Sequence, residues 1–452
     1  MRFADALDAT IAVPAESLDR LTSRLPDPWI EEALSCAGTA TVRKRRLSAQ
    51  QVVWLVLGMA LMRNRNIDEV VAKLDLALPT STGKPIAQSS ISEARQRLGA
   101  DAIEYLFARS AAQWARDMDP KFLWRGMSLY GVDGTTLAVA DSKENRDHFG
   151  GQTSGVDKIP SGYPIVRVVA LVNLRSRLIA DARIGPYVGS SELSLTDDLL
   201  ASVPDNSLFI SDRNFLTARV LRPLICNGTN RHFLMRAKKV TVMDAFESLG
   251  KNDCLVELPI SAAARKADPT LGKTWVARAI RYQMPGYEPQ FLLTSLLDPK
   301  AYPAAELIGL YHERWDLELG FAEIKTTTLE QRPALRSKVP KTTLQEVWGI
   351  LLAYNLVRLE MASLAQEAGV MPNQISYIAA LHMVRDEWLW SALTSPGALP
   401  ARMRDLRASL SHYILRPRRP ERAYPRAVKN RTKPYPSRKT AAANHNKSKD
   451  QA

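Results

Sequence analysis

Cysteine is scarce in this 452-residue chain. Cys36, Cys226 and Cys254 lie far apart and make no CxxC pair, which excludes a zinc ribbon and a disulfide scaffold and suits a reducing cytoplasm. Long apolar runs are missing too. The longest, Val52 to Met62, is about half of what a membrane span requires. The segment from Met1 to Arg20 carries several acids and no continuous apolar core, so it does not read as a secretory leader. There is no internal repeat. What the chain has in excess is positive charge, a net +14 that points to a polyanionic partner, nucleic acid before membrane. The excess is uneven. From Ala401 to Ala452 there are 15 Lys and Arg against Asp405, Glu421 and Asp450, so this segment alone carries +12. A basic tail is a weaker sign of specific binding than a basic face.

Hydrophobic residues at 46% and charged residues at 24% are ordinary for a globular protein, and the length allows two or three domains. Residues 1–120 read as helical. Ser48 is a candidate N-cap for the buried helix through Val52–Met62, a short helix follows from Ile67 to Leu74, and a further helix runs from Ser89 to Gly99. That last helix carries Arg95 and Arg97 and resembles the second helix of a small DNA-binding unit. The run Arg43-Lys44-Arg45-Arg46 is another candidate for phosphate contact. From Met127 the periodicity changes to two. Ser128–Asp133 reads as a strand turning at Gly134 into a hairpin partner, Thr135–Ala140. Ile165–Leu174 and Leu178–Ile184 form a second hairpin, and Ser207–Asp212 is a buried strand between two helices. This predicts a mixed sheet flanked by helices over 121–230. Residues 231–300 read as an all-β insertion with four strands, and 301–365 as the helical second part of the core. A C-terminal helical region follows over 366–423, then a basic tail, 424–452, expected to be disordered.

Leu310 to Glu330 has no Pro and a helical spacing of apolar residues, so it is expected to be one long helix. On a wheel, Tyr311, Arg314, Glu318 and Lys325 fall within roughly 60° of one another, beside the apolar stripe of Leu310, Leu317, Phe321 and Ile324. Glu313, Asp316 and Glu323 point elsewhere. Two further acids stand where the chain changes element: Asp133 before Gly134, and Asp212 before Arg213-Asn214-Phe215. Each has a plain structural alternative: a turn residue for Asp133, a helix cap for Asp212, an i,i+4 ion pair with Arg314 for Glu318. Together, three hard oxygen donors can hold one or two Mg²⁺, and the neighbouring cations can neutralise phosphates. A carboxylate-pair glycosidase fits less well, because a neutral sugar offers nothing for those cations.

The spacing Tyr311-x2-Arg314-x3-Glu318-x6-Lys325 resembles the Y-R-E-K signature of the insertion sequence 4 family of DDE transposases. Tyr130-Gly131-Val132-Asp133-Gly134-Thr135 and Ser211-Asp212-Arg213-Asn214-Phe215 resemble that family's other two acidic motifs, with Asn214 where a Gly is common. The likeness extends through Thr294–Pro299, Leu335-Arg336-Ser337-Lys338 and the Val52–Leu74 segment. It implies a ribonuclease H-like catalytic domain interrupted by a β-strand insertion, with Asp133, Asp212 and Glu318 as catalytic metal ligands. Tyr311, Arg314 and Lys325 are implied contacts to terminal phosphates, and Arg95, Arg97 and Lys338 are further candidate DNA contacts. It also implies Mg²⁺, two ions with Mn²⁺ as a substitute, and double-stranded DNA as partner, both transposon-end inverted repeats and target. The expected enzyme is a homodimer that cuts and joins strands through a hairpin, in the bacterial cytoplasm and on the nucleoid when bound, with no membrane partner. A transposase-derived DNA-binding protein without cleavage is the alternative. In related enzymes a Trp of the insertion stacks on a flipped base. Trp275 is the sole Trp of 231–300, and a core position is its other reading.

Overall fold

The computed structural model describes residues 24–40, 46–74, 76, 86–117, 120–154, 159–284, 288–330, 334–391 and 414–415. The tail 424–452 and Arg43-Lys44-Arg45 lie outside the described residues.

The N-terminal part is helical: α1 Asp27–Cys36, α2 Ala49–Leu61, α3 Ile67–Lys73, α4 Gln88–Leu98 and α5 Asp101–Arg116. Ser48 caps α2 in a capping box. Its Oγ accepts from the Gln51 backbone N–H, and the Gln51 side chain accepts from the Ser48 N–H at 2.8 Å. Being apolar on nearly every side, α2 is buried on nearly every side.

The sheet begins with β1 Ser128–Ala138. After α6 Lys143–Phe149 come β2 Gly151–Ser154, β3 Ile159–Asn173 and β4 Ile179–Pro186, then α7 Glu192–Leu199, β5 Ser207–Ser211, α8 Ala218–Cys226 and β6 Arg231–Arg236. The segment that follows holds β7 Asp244–Gly250, β8 Asp253–Pro259, α9 Ala262–Ala267, β9 Thr274–Tyr282 and β10 Gln290–Thr294. Beyond it lie α10 Ala304–His312, α11 Trp315–Ala322, a π-helical turn Glu323–Thr328, α12 Pro340–Ala368 and α13 Tyr377–Ser391.

Three expectations need correction. First, β1 does not turn at Gly134. It continues straight through, paired antiparallel to β3 from Tyr130↔Asn173 to Ala138↔Ile165, because an extended glycine flanked by paired residues has no reason to reverse the chain. Second, 231–300 is not a separate all-β unit. β6 pairs parallel to β5 and belongs to the central sheet, and β10 pairs antiparallel to β6. Ten strands therefore make one sheet, β2-β3-β1-β5-β6-β10-β9-β8-β7 with β4 on β3, and the inserted stretch also carries the helix α9. Third, Leu310–Glu330 is not one regular helix. The N–H groups of Glu313, Arg314, Asp316 and Leu317 bond to carbonyls three residues back, tightening the chain between α10 and α11. The π turn then widens it, so the wheel's angles do not carry past Glu323.

α12 joins the parts. Buried along most of its length, it packs against α2, α5, β4 and α13. At Gly349 a Cβ would stand 2.4 Å from Val56 Cγ1, so α2 and α12 touch almost backbone to side chain. This helix is long and apolar enough to cross a membrane by length and composition, and 89% of its most apolar stretch is buried within the protein.

Candidate active site

β1 and β5 run parallel with Ser128↔Ser207, Leu129↔Leu208 and Tyr130↔Phe209 in register. Two residues further along each chain the Ser211 hydroxyl joins them: its Oγ accepts from the Val132 N–H at 2.8 Å and donates to the Val132 carbonyl at 3.1 Å. Asp133 and Asp212 are the next residues on each chain. Both follow that side-chain bridge, where β1 runs on past the end of β5. Asp212 accepts from the Arg213 N–H at 2.7 Å and caps a 3₁₀ turn, Arg213–Phe215. Asn214 sits in that turn without a positive φ, so no glycine is required there.

α11 crosses β1 at Gly131. A Cβ on Gly131 would lie 2.8 Å from Leu317 Cδ1 and 2.4 Å from the Ile210 carbonyl, so only glycine lets the helix settle onto the strand pair. That contact brings Glu318, the residue after Leu317, close enough to Asp133 for its charge to be felt there. Glu318 is 42% exposed and accepts from Arg314 Nη2 at 3.1 Å. The other acids of this segment are engaged in the frame. Glu313 takes both ends of Arg175, Asp316 takes Arg177, and Glu323 takes Arg177, Arg358 and the Tyr354 hydroxyl. Glu318 alone of the four stays out of that frame.

The electrostatics tie the group together. Burial pushes the Asp133 carboxyl up to about 6; Glu192 and Glu318 add to the shift, while the Gly134 N–H (2.8 Å) and Arg314 oppose it. Burial lowers the Lys325 ammonium, and Asp133 opposes that shift. Burial raises the Tyr311 phenol, which feels both Arg314 and Asp212 and stays a hydrogen-bond donor. Asp133 thus shares its surroundings with Glu318, Arg314 and Lys325, and Tyr311 links Arg314 to Asp212.

The other candidates divide. Arg95 is withdrawn as a DNA contact. It is 7% exposed, with its guanidinium bonded to Gln345 Oε1, Ser337 Oγ and the Thr342 carbonyl, because α4 packs that face against the start of α12. Arg97 points outward and pairs with Glu93 at 3.8 Å, and Lys338 is exposed. Trp275 is a core residue, 8% exposed with its ring 5.4 Å from that of Phe233. Two residues escaped sequence reasoning. Trp315 is 46% exposed with the Arg314 guanidinium 5.3 Å from its ring, and an exposed Trp beside two motif residues was the available signal. Glu192 lies against Gly134, where a Cβ would meet its carboxyl at 2.6 Å, and nothing local in sequence marks it.

Comparison with known proteins now decides the family. The pattern described as "Transposase DDE domain" matches residues 124–356, and "Insertion element 4 transposase N-terminal" matches 15–108. The chain is 37% identical over 422 residues, 93% of its length and 94% of the relative's, to "Transposase InsG for insertion sequence element IS4" of Escherichia coli (strain K12). The chain belongs to the IS4 family of transposases. The transposase also matches "Putative transposase InsZ" of Escherichia coli (strain K12), at 34% identity over 52% of this chain and 77% of that one. Among solved structures it matches a piggyBac transposase synaptic complex with hairpin DNA at 9% identity and a TM-score of 0.41, over 94% of this chain and 88% of that one. A DDE transposase is a DNA-cleaving and strand-transferring enzyme, and its domain works with divalent metal ions. Among the described residues no three or more His, Cys, Asp and Glu side chains are gathered closely enough to hold a metal ion by themselves. Mg²⁺ is commonly held by one or two carboxylates with the rest of its shell from water and substrate phosphate, so two aspartates with a helix carboxylate nearby fit it.

Proposed function

We propose that this transposase binds the terminal inverted repeats of an insertion sequence and cuts and joins DNA with Mg²⁺ through a hairpin intermediate. The reading rests on one observation: Asp133 within β1 and Asp212 directly after the neighbouring strand β5, with α11 seated over Gly131. Asp133, Asp212 and Glu318 would hold the metal, one ion or two, and Mn²⁺ has the same preference for hard oxygen donors. Bound there, the metal supplies Lewis acidity that activates a water or 3′-hydroxyl and stabilises the leaving oxygen. Arg314 gives up Glu318 to a phosphate when DNA arrives, and Lys325 and the Tyr311 hydroxyl take neighbouring phosphate oxygens. Trp315 offers a stacking face to an unpaired base. Arg97 and Lys338 contact the backbone further out. The catalytic unit is ribonuclease H-like, and a homodimer holds the two ends and the target DNA together on the bacterial nucleoid.

The test compares Mg²⁺-dependent cleavage of DNA carrying the flanking inverted repeats by wild type and by Glu318→Gln. The variant is expected to bind the ends and to lose cleavage by at least about a hundredfold. Equal cutting would remove Glu318 from the site. Binding without any cutting by wild type would make the chain a DNA-binding protein only.

A further inference from the structure

A cavity of about 530 Å³ lies where the N-terminal helices meet the catalytic unit, and Arg63, Thr136, Leu137, Lys325, Thr326 and Leu335 are among the residues lining it. That volume is ample for a phosphate group with part of its sugar. Arg63 follows α2 and is 1% exposed. Its Nη1 pairs with Glu346 Oε1, while Nε and Nη2 are buried with no hydrogen-bond partner among the described residues. Glu346 cannot serve them as well. It already accepts from the backbone N–H groups of Arg336 and Ser337 at 3.2 and 3.0 Å and from Ser337 Oγ at 2.6 Å. It also shares its charge with Arg95, so two buried guanidinium groups stand against one carboxylate. Lys325 adds a third cation, and no acid lines the cavity among the described residues. Leu137 projects from the same face of β1 as Asp133, four residues or about 13 Å along the strand.

Were Arg63 only a packing partner of Glu346, two donors of a buried cation would stay unsatisfied, which folded proteins rarely tolerate. An oxyanion meets both, since a guanidinium edge matches two oxygens of one phosphate. We propose that this cavity is an anion pocket that holds a phosphate of the DNA strand lying at Asp133, with Arg63 reaching it from the N-terminal unit and Lys325 from the π turn. The proposal rests on the DNA-cutting reading for the identity of the anion, though not for the existence of the pocket. Lys325 belongs to both places: it lines the cavity, and the Asp133 carboxylate acts on its ammonium. A phosphate here is thus a near neighbour of the bond being cut.

The experiment uses full-length protein and inverted-repeat DNA in which single phosphates near the cut are replaced, one by one, by neutral methylphosphonates. Wild type should lose roughly tenfold or more in affinity at one such position. Arg63→Lys keeps a charge for Glu346 but loses the fork. Arg63→Gln with Glu346→Gln removes both buried charges together and guards against misfolding. Thr326→Trp fills the cavity from an exposed position. In each, that position should lose its penalty, and the slope of log affinity against log salt should fall by about 0.9. Folded variants with the wild-type pattern and slope would overturn the proposal. Thermal shift with inorganic phosphate, against chloride at equal ionic strength, separates the two readings. Phosphate stabilisation of wild type that Arg63→Lys lacks, without any binding to the repeats, would keep the pocket and sink the DNA reading. No phosphate effect and no methylphosphonate position sensitive to Arg63 would sink the pocket, even in an enzyme that cuts.

Discussion

Replacing Asp133 by Asn should make the metal-free protein more stable while ending metal binding. The carboxyl sits at about 6 in the fold against an ordinary 3.8, chiefly because it is buried, and further because Glu192 and Glu318 face it. With the folded value above the unfolded one, ionisation works against the fold. The stability that protonated Asp133 contributes is full below about 3.8 and is lost as pH rises through about 6. At pH 8 the penalty for keeping the charge corresponds to about 3 kcal/mol. Asn keeps an oxygen for the Gly134 N–H, which now donates to Oδ1 at 2.8 Å. It removes a favourable partner from Lys325 and Arg314, so a net gain of about 1–3 kcal/mol is expected. Urea unfolding in EDTA at pH 8 and near pH 4 measures it. The advantage of Asp133→Asn should be present at the first and absent at the second. With Mg²⁺ added at pH 8, wild type should gain stability and the variant should not. A variant no more stable than wild type at pH 8, or equally advantaged at pH 4, would refute burial and like-charge repulsion as the source of the shift.

Other expectations follow from the frame around the site. Glu323→Ala removes the partner of Arg177, Arg358 and Tyr354 at the first residue of the π turn; it should cost about 3–5 kcal/mol and, by loosening Lys325, weaken DNA binding in the protein that still folds. Trp275→Ala should cost about 3–5 kcal/mol in unfolding experiments and leave the affinity of the folded fraction for DNA unchanged. A selective loss of affinity there would instead place Trp275 on DNA. Ser48→Ala should cost about 1 kcal/mol through the lost cap of α2, read as a lower urea midpoint with unchanged slope.

The sequence made the site more legible than the frame. Helical spacing separated Glu318 from Glu313, Asp316 and Glu323, which do turn to other partners, but a wheel could not foresee the break between α10 and α11 or the π turn that carries Lys325. Strand identities were readable because alternation, like helical spacing, is local. Pairing was not. β1 running through Gly134, and β6 and β10 joining the inserted strands to the central sheet, depend on partners distant in sequence. Arg95 misled because an arginine on a short polar helix reads as surface. What buries it are Ser337, Thr342 and Gln345, some 240 residues later. The edge strand β7 was missed: nearly all of its residues are exposed, so neither face shows apolar alternation.

The long helix α12 has a consequence for how the protein is made. The apolar α2 leaves the ribosome early, and its main cover is a helix about 290 residues further on. At about 5–20 residues per second, α2 waits about 15 seconds to a minute for that partner. During this wait the segment carrying Glu318 is also unmade or undocked, so the carboxylates cannot assemble. A nascent chain therefore acquires a covered hydrophobic helix and a competent cutting site in one late step. Truncation anywhere before α12 should yield not a smaller nuclease but an aggregation-prone fragment, dependent on chaperones.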